Sequence, residues 1–153
     1  MAQAQIPDDI SADYANAGVR SALTALKQTP DYEHLVALLR ALREGYLVAD
    51  ITGTSSKKKG TRVRTIRSTK GQLVLPLFTS MAELRATVTD KQQAELKGAM
   101  MPASEALALI TSDRFVAAEF DKSSAHSLVL LRKYVTLAAN DDDITTDTLE
   151  GIR

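Results

Sequence analysis

Few residues of this 153-residue chain have the types and spacing that chemistry usually needs. Its two histidines, His34 and His126, are far apart, and neither belongs to an H-x-x-x-H or H-x-x-E-H pattern that would put metal ligands on one helix face. His34 follows the helix-like periodicity beside Leu35. His126 sits in the polar stretch DKSSAHS. Both read as structural or surface histidines, and no pocket is expected to gather two or more ionisable groups around either. There is no cysteine, which removes thiol nucleophiles, disulfides and thiolate metal sites together. No G-x-S-x-G, G-x-x-x-x-G-K-[ST] or G-x-G-x-x-G occurs, so nucleophile elbows and phosphate-cradling glycine loops lose support. Asp141, Asp142, Asp143 and Asp147 suggest a calcium loop. An EF-hand begun at Asp141 needs glycine at 146 and glutamate at 152, where Thr146 and Ile152 stand. The expectation is no catalytic set, no metal and no cofactor.

Charge is balanced overall, 19 basic against 19 acidic residues, but unevenly placed. Lys57, Lys58, Lys59, Arg62, Arg64, Arg67 and Lys70 fall in one stretch without an acid. Such a ribbon could meet phosphates, and Lys57, Lys58, Lys59, Arg62, Arg64 and Arg67 are the candidate polyanion contacts. It holds no aromatic to stack on bases, and cations on a strand also guard a sheet edge. The favoured reading is a solvated, guarded hairpin.

The elements that must position these groups follow from periodicity. Residues 1–12 are polar and read as a flexible segment. Asn16 can cap a helix whose Val19, Leu23 and Leu26 recur at helical spacing. Thr29-Pro30 looks like the start of a second helix, with Leu35, Leu38, Leu39 and Leu42 as its buried stripe and Gly45 as its stop. Residues 46–51, 62–67 and 72–78 read as strands, the last nearly continuous in apolar residues and so central. Pro76 cannot donate to a ladder, which places it at a bulge or near the strand's end. Ser80-Met81-Ala82-Glu83 fits the capping box S-x-x-E: Ser80 Oγ accepting from the Glu83 N–H, the Glu83 carboxylate reaching back to the Ser80 N–H. A short helix opens near Pro102, with Leu107 and Ile110 inward. Residues 115–120 and 127–131 read as strands, and 134–139 as a closing helix. The stretch NDDDITTDTLEGIR reads as a loose acidic tail, residues 140–153. The expected fold is a single α+β domain over residues 13–139, a small, mostly antiparallel sheet with helices packed on it and an N-terminal helical hairpin.

Over residues 16–137 the order of these pieces resembles the N-terminal domain of the SseB family, bacterial proteins named for enhanced serine sensitivity. Asn16, Leu23, Leu26, Leu38, Leu39 and LVAD (47–50) are similar to its opening helices and strand. Pro76, Phe78, Thr79 and Ser80, followed by Glu83 and Leu84, are similar to its most distinctive segment. Glu105-Ala106-Leu107, VAAEFD (116–121) and SLVLLRK (127–133) are similar to its closing part. An asparagine-proline turn common there is replaced by Asp121-Lys122-Ser123-Ser124. The resemblance implies a fold and transfers no catalytic residue.

Without a leader-like start, an apolar run near the roughly 20 residues of a membrane helix, or cysteine, a cytoplasmic address without a membrane partner is expected. The expected function is a non-enzymatic bacterial module that binds another macromolecule, a protein first. Nucleic-acid binding through the basic ribbon is the first alternative, and an enzyme with an unrecognised Asp, Glu and Ser site is the second. The oligomeric state is left open.

Overall fold

The computed structural model describes residues 14–50, 66–67, 72–87, 98–112, 114–140 and 143–152. Helix α1 (Ala17–Gln28) buries Val19, Leu23 and Leu26, and α2 (Tyr32–Ala41) buries Leu35, Val36, Leu38 and Leu39. The hairpin is thus formed as its apolar spacing requires. Its turn differs in detail: α2 is capped by Asp31, whose carboxylate accepts from the His34 N–H at 2.8 Å. Thr29 closes α1. A short acidic side chain accepts from first-turn N–H groups while its charge meets the positive helix end, and that decides the start over Thr29-Pro30.

Strand β1 (Tyr46–Asp50) follows a turn at Gly45 with φ +73°. A Cβ there would stand 2.5 Å from Tyr14 Oη, so both the conformation and the space require glycine. Asn16 locks this corner. Its Oδ1 accepts from the Val19 N–H, and its Nδ2 donates to the carbonyls of Glu44 and Tyr46.

The remaining elements are β2 (Ile66–Arg67), β3 (Leu73–Phe78), α3 (Met81–Arg85), β4 (Gly98–Pro102) and α4 (Ala103–Ala108), extended by a 3-10 turn at Leu109–Thr111. Then come β5 (Ala117–Phe120), β6 (Leu128–Leu131), α5 (Arg132–Ala139) and α6 (Thr146–Gly151). The sheet order is β4-β1-β3-β5-β6, with β2 also beside β3. All pairings are antiparallel except β3–β5, so this is a mostly antiparallel sheet in a single α+β domain. Strand β3 is central. Pro76 lies between its pairing with β2, which ends at Val74, and its pairing with β1, which begins at Leu77. The Leu73 and Leu77 carbonyls both face β5, so the missing N–H of Pro76 points the other way, into that changeover.

Alternation divides the core between two faces of the sheet. Leu47, Ala49, Leu75, Leu77, Ala118, Phe120 and Leu130 meet the larger set of helices. Val48 and Phe78 face the other way and pack on Leu84 of α3, with Met81 and Met100 beside them.

Two expectations need correction. Strand β4 was not foreseen: Gly98–Pro102 contains no β-branched residue, and its strand state comes from five paired positions along β1. The reading of a loose tail over 140–153 also fails. Within it α6 is capped by Thr145 Oγ1, and Ile144 and Leu149 are buried in the main core. Two apolar side chains outweigh the solubility of the surrounding aspartates once Arg40 fixes the chain through the Ile144 carbonyl. The flexible segment assigned to residues 1–12 lies outside the described residues, as does most of the strand expected over 62–67.

Candidate functional site

Strands β3 and β5 run parallel, so their carboxyl ends, Phe78 and Phe120, emerge on one side of the sheet. Thr79 follows the first and Asp121 the second, and they meet. The Asp121 carboxylate accepts from the Thr79 N–H at 2.8 Å and the Thr79 hydroxyl at 2.7 Å. It is fully buried, and its backbone adopts φ +48°, a conformation that aspartate tolerates better than most residues. Its Oδ2 also lies 2.6 Å from His126 Nε2, brought back by the turn 121–127. That turn is held by the Ser124 N–H donating to the Asp121 carbonyl and the His126 N–H donating to Ser124 Oγ.

The third wall comes from α3. Ser80 Oγ accepts from the Glu83 N–H at 3.2 Å, one half of the capping box. The reciprocal bond is not made among the described residues. The Glu83 carboxylate turns to Arg20 of α1, whose Nη2 donates to it at 2.5 Å. A guanidinium partner outcompetes a backbone N–H, because both members of that contact are charged. Arg20 Nε is itself buried without a partner among the described residues. Ligand atoms of Glu83, Asp121 and His126 lie within 4.8 Å of one another. An open groove of about 670 Å³ adjoins them, lined by Arg20, Ser21, Thr24, Ala25, Gln28 and His126.

The expectation that no histidine would gather ionisable groups is therefore corrected at His126, which stands with Asp121, Glu83 and Arg20. His34 remains the plain case: its Nδ1 lies 2.6 Å from Asp31 on an exposed helix end. That hydrogen bonding, from the His34 backbone first and its ring second, holds the Asp31 carboxyl below its ordinary range.

Pro76, Phe78, Thr79, Ser80 and Glu83 all stand at this junction. Phe78 is core, Thr79 and Ser80 are buried, and Glu83 is mostly covered. Of the polyanion candidates, Lys57, Lys58, Lys59, Arg62 and Arg64 lie outside the described residues, and Arg67 is described only as backbone in β2.

A second feature lies along β6, the last strand on its side of the sheet. The Arg132 N–H donates to the Val116 carbonyl, which fixes the ladder phase: Leu128 and Leu130 bond to β5, whereas the N–H and C=O groups of Val129 and Leu131 point away from it. Lys27 of α1 donates to the Ala125 and Ser127 carbonyls, just before this edge, which has no pairing strand among the described residues. Val129 and Leu131 are 54% and 51% exposed, the two most exposed large apolar side chains among the described residues. Beside the edge runs a mainly apolar groove of about 700 Å³, with Leu26, Pro30, Tyr32, Leu35, Leu128 and Tyr134 in its walls.

An α+β domain of this order, with a strand, a Thr-Ser turn and a capped helix at its centre, defines the class of the protein. The family model of the SseB protein N-terminal domain matches residues 19–136. The chain belongs to the SseB family. No curated protein and no solved structure matches it. No described helix is long and apolar enough to cross a membrane.

Proposed function

We propose that this SseB-family domain is a protein-interaction module that takes an extended apolar segment of another protein as an added strand along β6. The observation that carries the reading is the outward N–H groups of Val129 and Leu131 and the outward Val129 C=O, beside an apolar groove. A free strand edge supplies main-chain hydrogen bonds, and flanking pockets supply choice among side chains. Natural sheets usually blunt such an edge with charge or proline. Here the edge carries Val129 and Leu131, and the cations around it are engaged elsewhere: Lys27 donates to the Ala125 and Ser127 carbonyls, Arg132 donates to the Phe115 carbonyl, and Lys133 lies over the Tyr134 ring.

The test uses peptides selected by display against the full chain. Bound peptide should slow hydrogen exchange at the Val129 and Leu131 amides. Leu131 already has φ −62°, which proline adopts without strain. Leu131→Pro therefore deletes one outward N–H and should keep stability within about 1 kcal/mol. It should weaken peptide binding at least tenfold, and Leu131→Ala, which keeps the N–H, should weaken it less. Selected peptides that leave both amides unprotected, or that bind Leu131→Pro as well as wild type, would exclude strand addition.

A further inference from the structure

We propose that Glu83, Asp121 and His126 bind a divalent first-row transition cation of the zinc or manganese type, at a site independent of the β6 edge. One imidazole nitrogen and two carboxylates converge from three separate places in the chain: the first turn of α3, the end of β5 and the turn before β6. Imidazole with carboxylate suits zinc, manganese and iron, whereas magnesium and calcium favour oxygen alone.

Each ligand is oriented from behind. Thr79 grips the Asp121 carboxylate with two donors, so that side chain does not swing to meet a cation. Arg20 engages one oxygen of Glu83 and leaves the other. The Ser124 hydroxyl accepts from the His126 N–H and fixes the start of the ring. Outer groups of this kind set ligand direction and commonly matter about 10–100-fold in metal affinity.

The present spacing needs one adjustment. His126 Nε2 and Asp121 Oδ2 are 2.6 Å apart, as a shared proton requires. Two ligands on a tetrahedral zinc, each about 2.0–2.1 Å from the metal, sit about 3.3 Å apart. The cation replaces that proton, and the ring backs away by well under 1 Å, on the order of the difference between those spacings. His126 has the room, because its side chain is 20% exposed and borders the groove, whereas Asp121 is sealed. A fourth position then opens toward Ser21 and Thr24, where water completes the shell.

The pair His34–Asp31 is the internal control: the same two residue types at the same 2.6 Å, exposed, and outside the only three-ligand grouping among the described residues.

The experiment titrates Zn²⁺, then Mn²⁺, into the full chain by calorimetry, with Mg²⁺ for comparison. One zinc per chain is expected, with Mg²⁺ bound far more weakly. His126→Ala and Glu83→Gln should each weaken zinc at least about tenfold, and His34→Ala should leave it unchanged. Urea midpoints show that each variant is folded, and Mn²⁺ should broaden the NMR signals of His126 and Glu83 first. No saturation below about 1 mM, affinities of both variants within about twofold of wild type, or loss of binding in His34→Ala would each overturn the proposal.

Discussion

The molecule contains two histidine–aspartate pairs with the same 2.6 Å separation, and they have little else in common. Asp31 and His34 are three residues apart on one helix end, with side chains 45% and 35% exposed. Water and salt screen the contact, and its main structural service is the cap, in which Asp31 accepts from the His34 N–H. Asp121 is wholly buried, and its partners come from β3 and from a turn that doubles back. Distance alone does not rank two such pairs. Burial decides how much each bond is worth and how much each missing bond costs.

The largest expected effect follows from that contrast. Asp121→Ala strands the Thr79 N–H and hydroxyl in the interior and leaves alanine at φ +48°. Each buried donor left without its acceptor costs about 1–3 kcal/mol, and left-handed backbone adds about 1–2 kcal/mol for a residue without a short polar side chain. The urea midpoint of Asp121→Ala should fall far more than that of Asp31→Ala. Similar falls in the two variants would mean that the Asp121 carboxylate is solvated in solution, and the contrast between the pairs would collapse.

Much of this arrangement was legible in the sequence, and its failures share one cause. The hairpin, the central strand and the Thr-Ser junction are local patterns, set by spacing within one element. Asn16 as a cap was readable for the same reason, whereas Gly45 is not the stop of α2: the helix ends at Ala41 with Leu42 as its C-cap, and Gly45 makes the turn into β1. Strand β4 and helix α6 depend on partners elsewhere: β1 for Gly98–Pro102, the main core for Ile144 and Leu149. The cluster at His126 is harder still. Asp121 and His126 stand in one visible turn, but Thr79 is 42 residues from Asp121, and Arg20 is 63 residues from Glu83. Only a parallel β3–β5 pairing brings Thr79 beside Asp121. Sequence spacing predicted the Ser80 cap and missed the use of Glu83, because a guanidinium from α1 has no local signature.

The junction itself gives the intermediate effect and sharpens the comparison from the Glu83 side. Ser80→Ala removes the acceptor for the Glu83 N–H and should cost about 0.5–2 kcal/mol. The Arg20–Glu83 contact holds the same turn from the carboxylate end, so α3 should stay docked, with Leu84 still protected from hydrogen exchange. An unchanged denaturation midpoint would show that the cap adds nothing beyond the ion pair, and Ser80 would then be a candidate for a role other than structure.

The smallest expected effect belongs to the exposed pair and concerns pH. Hydrogen bonds from the His34 backbone, and then from its ring, hold the Asp31 carboxyl below its ordinary value of 3.8. The folded state therefore holds the ionised form more strongly than the unfolded state does. The stabilisation is fully present above the unfolded value and is lost as pH falls through the lowered folded one. Asp31→Asn keeps a capping acceptor, since asparagine caps about as well as aspartate, and removes only the charge. Urea midpoints of wild type and Asp31→Asn should then differ slightly at pH 7, in favour of wild type, and converge as the pH drops below about 4. The difference should also shrink in high salt, because both side chains face water. A gap that persists undiminished at pH 2 would show that the carboxylate charge contributes nothing there, and that asparagine fits the cap less well for geometric reasons alone.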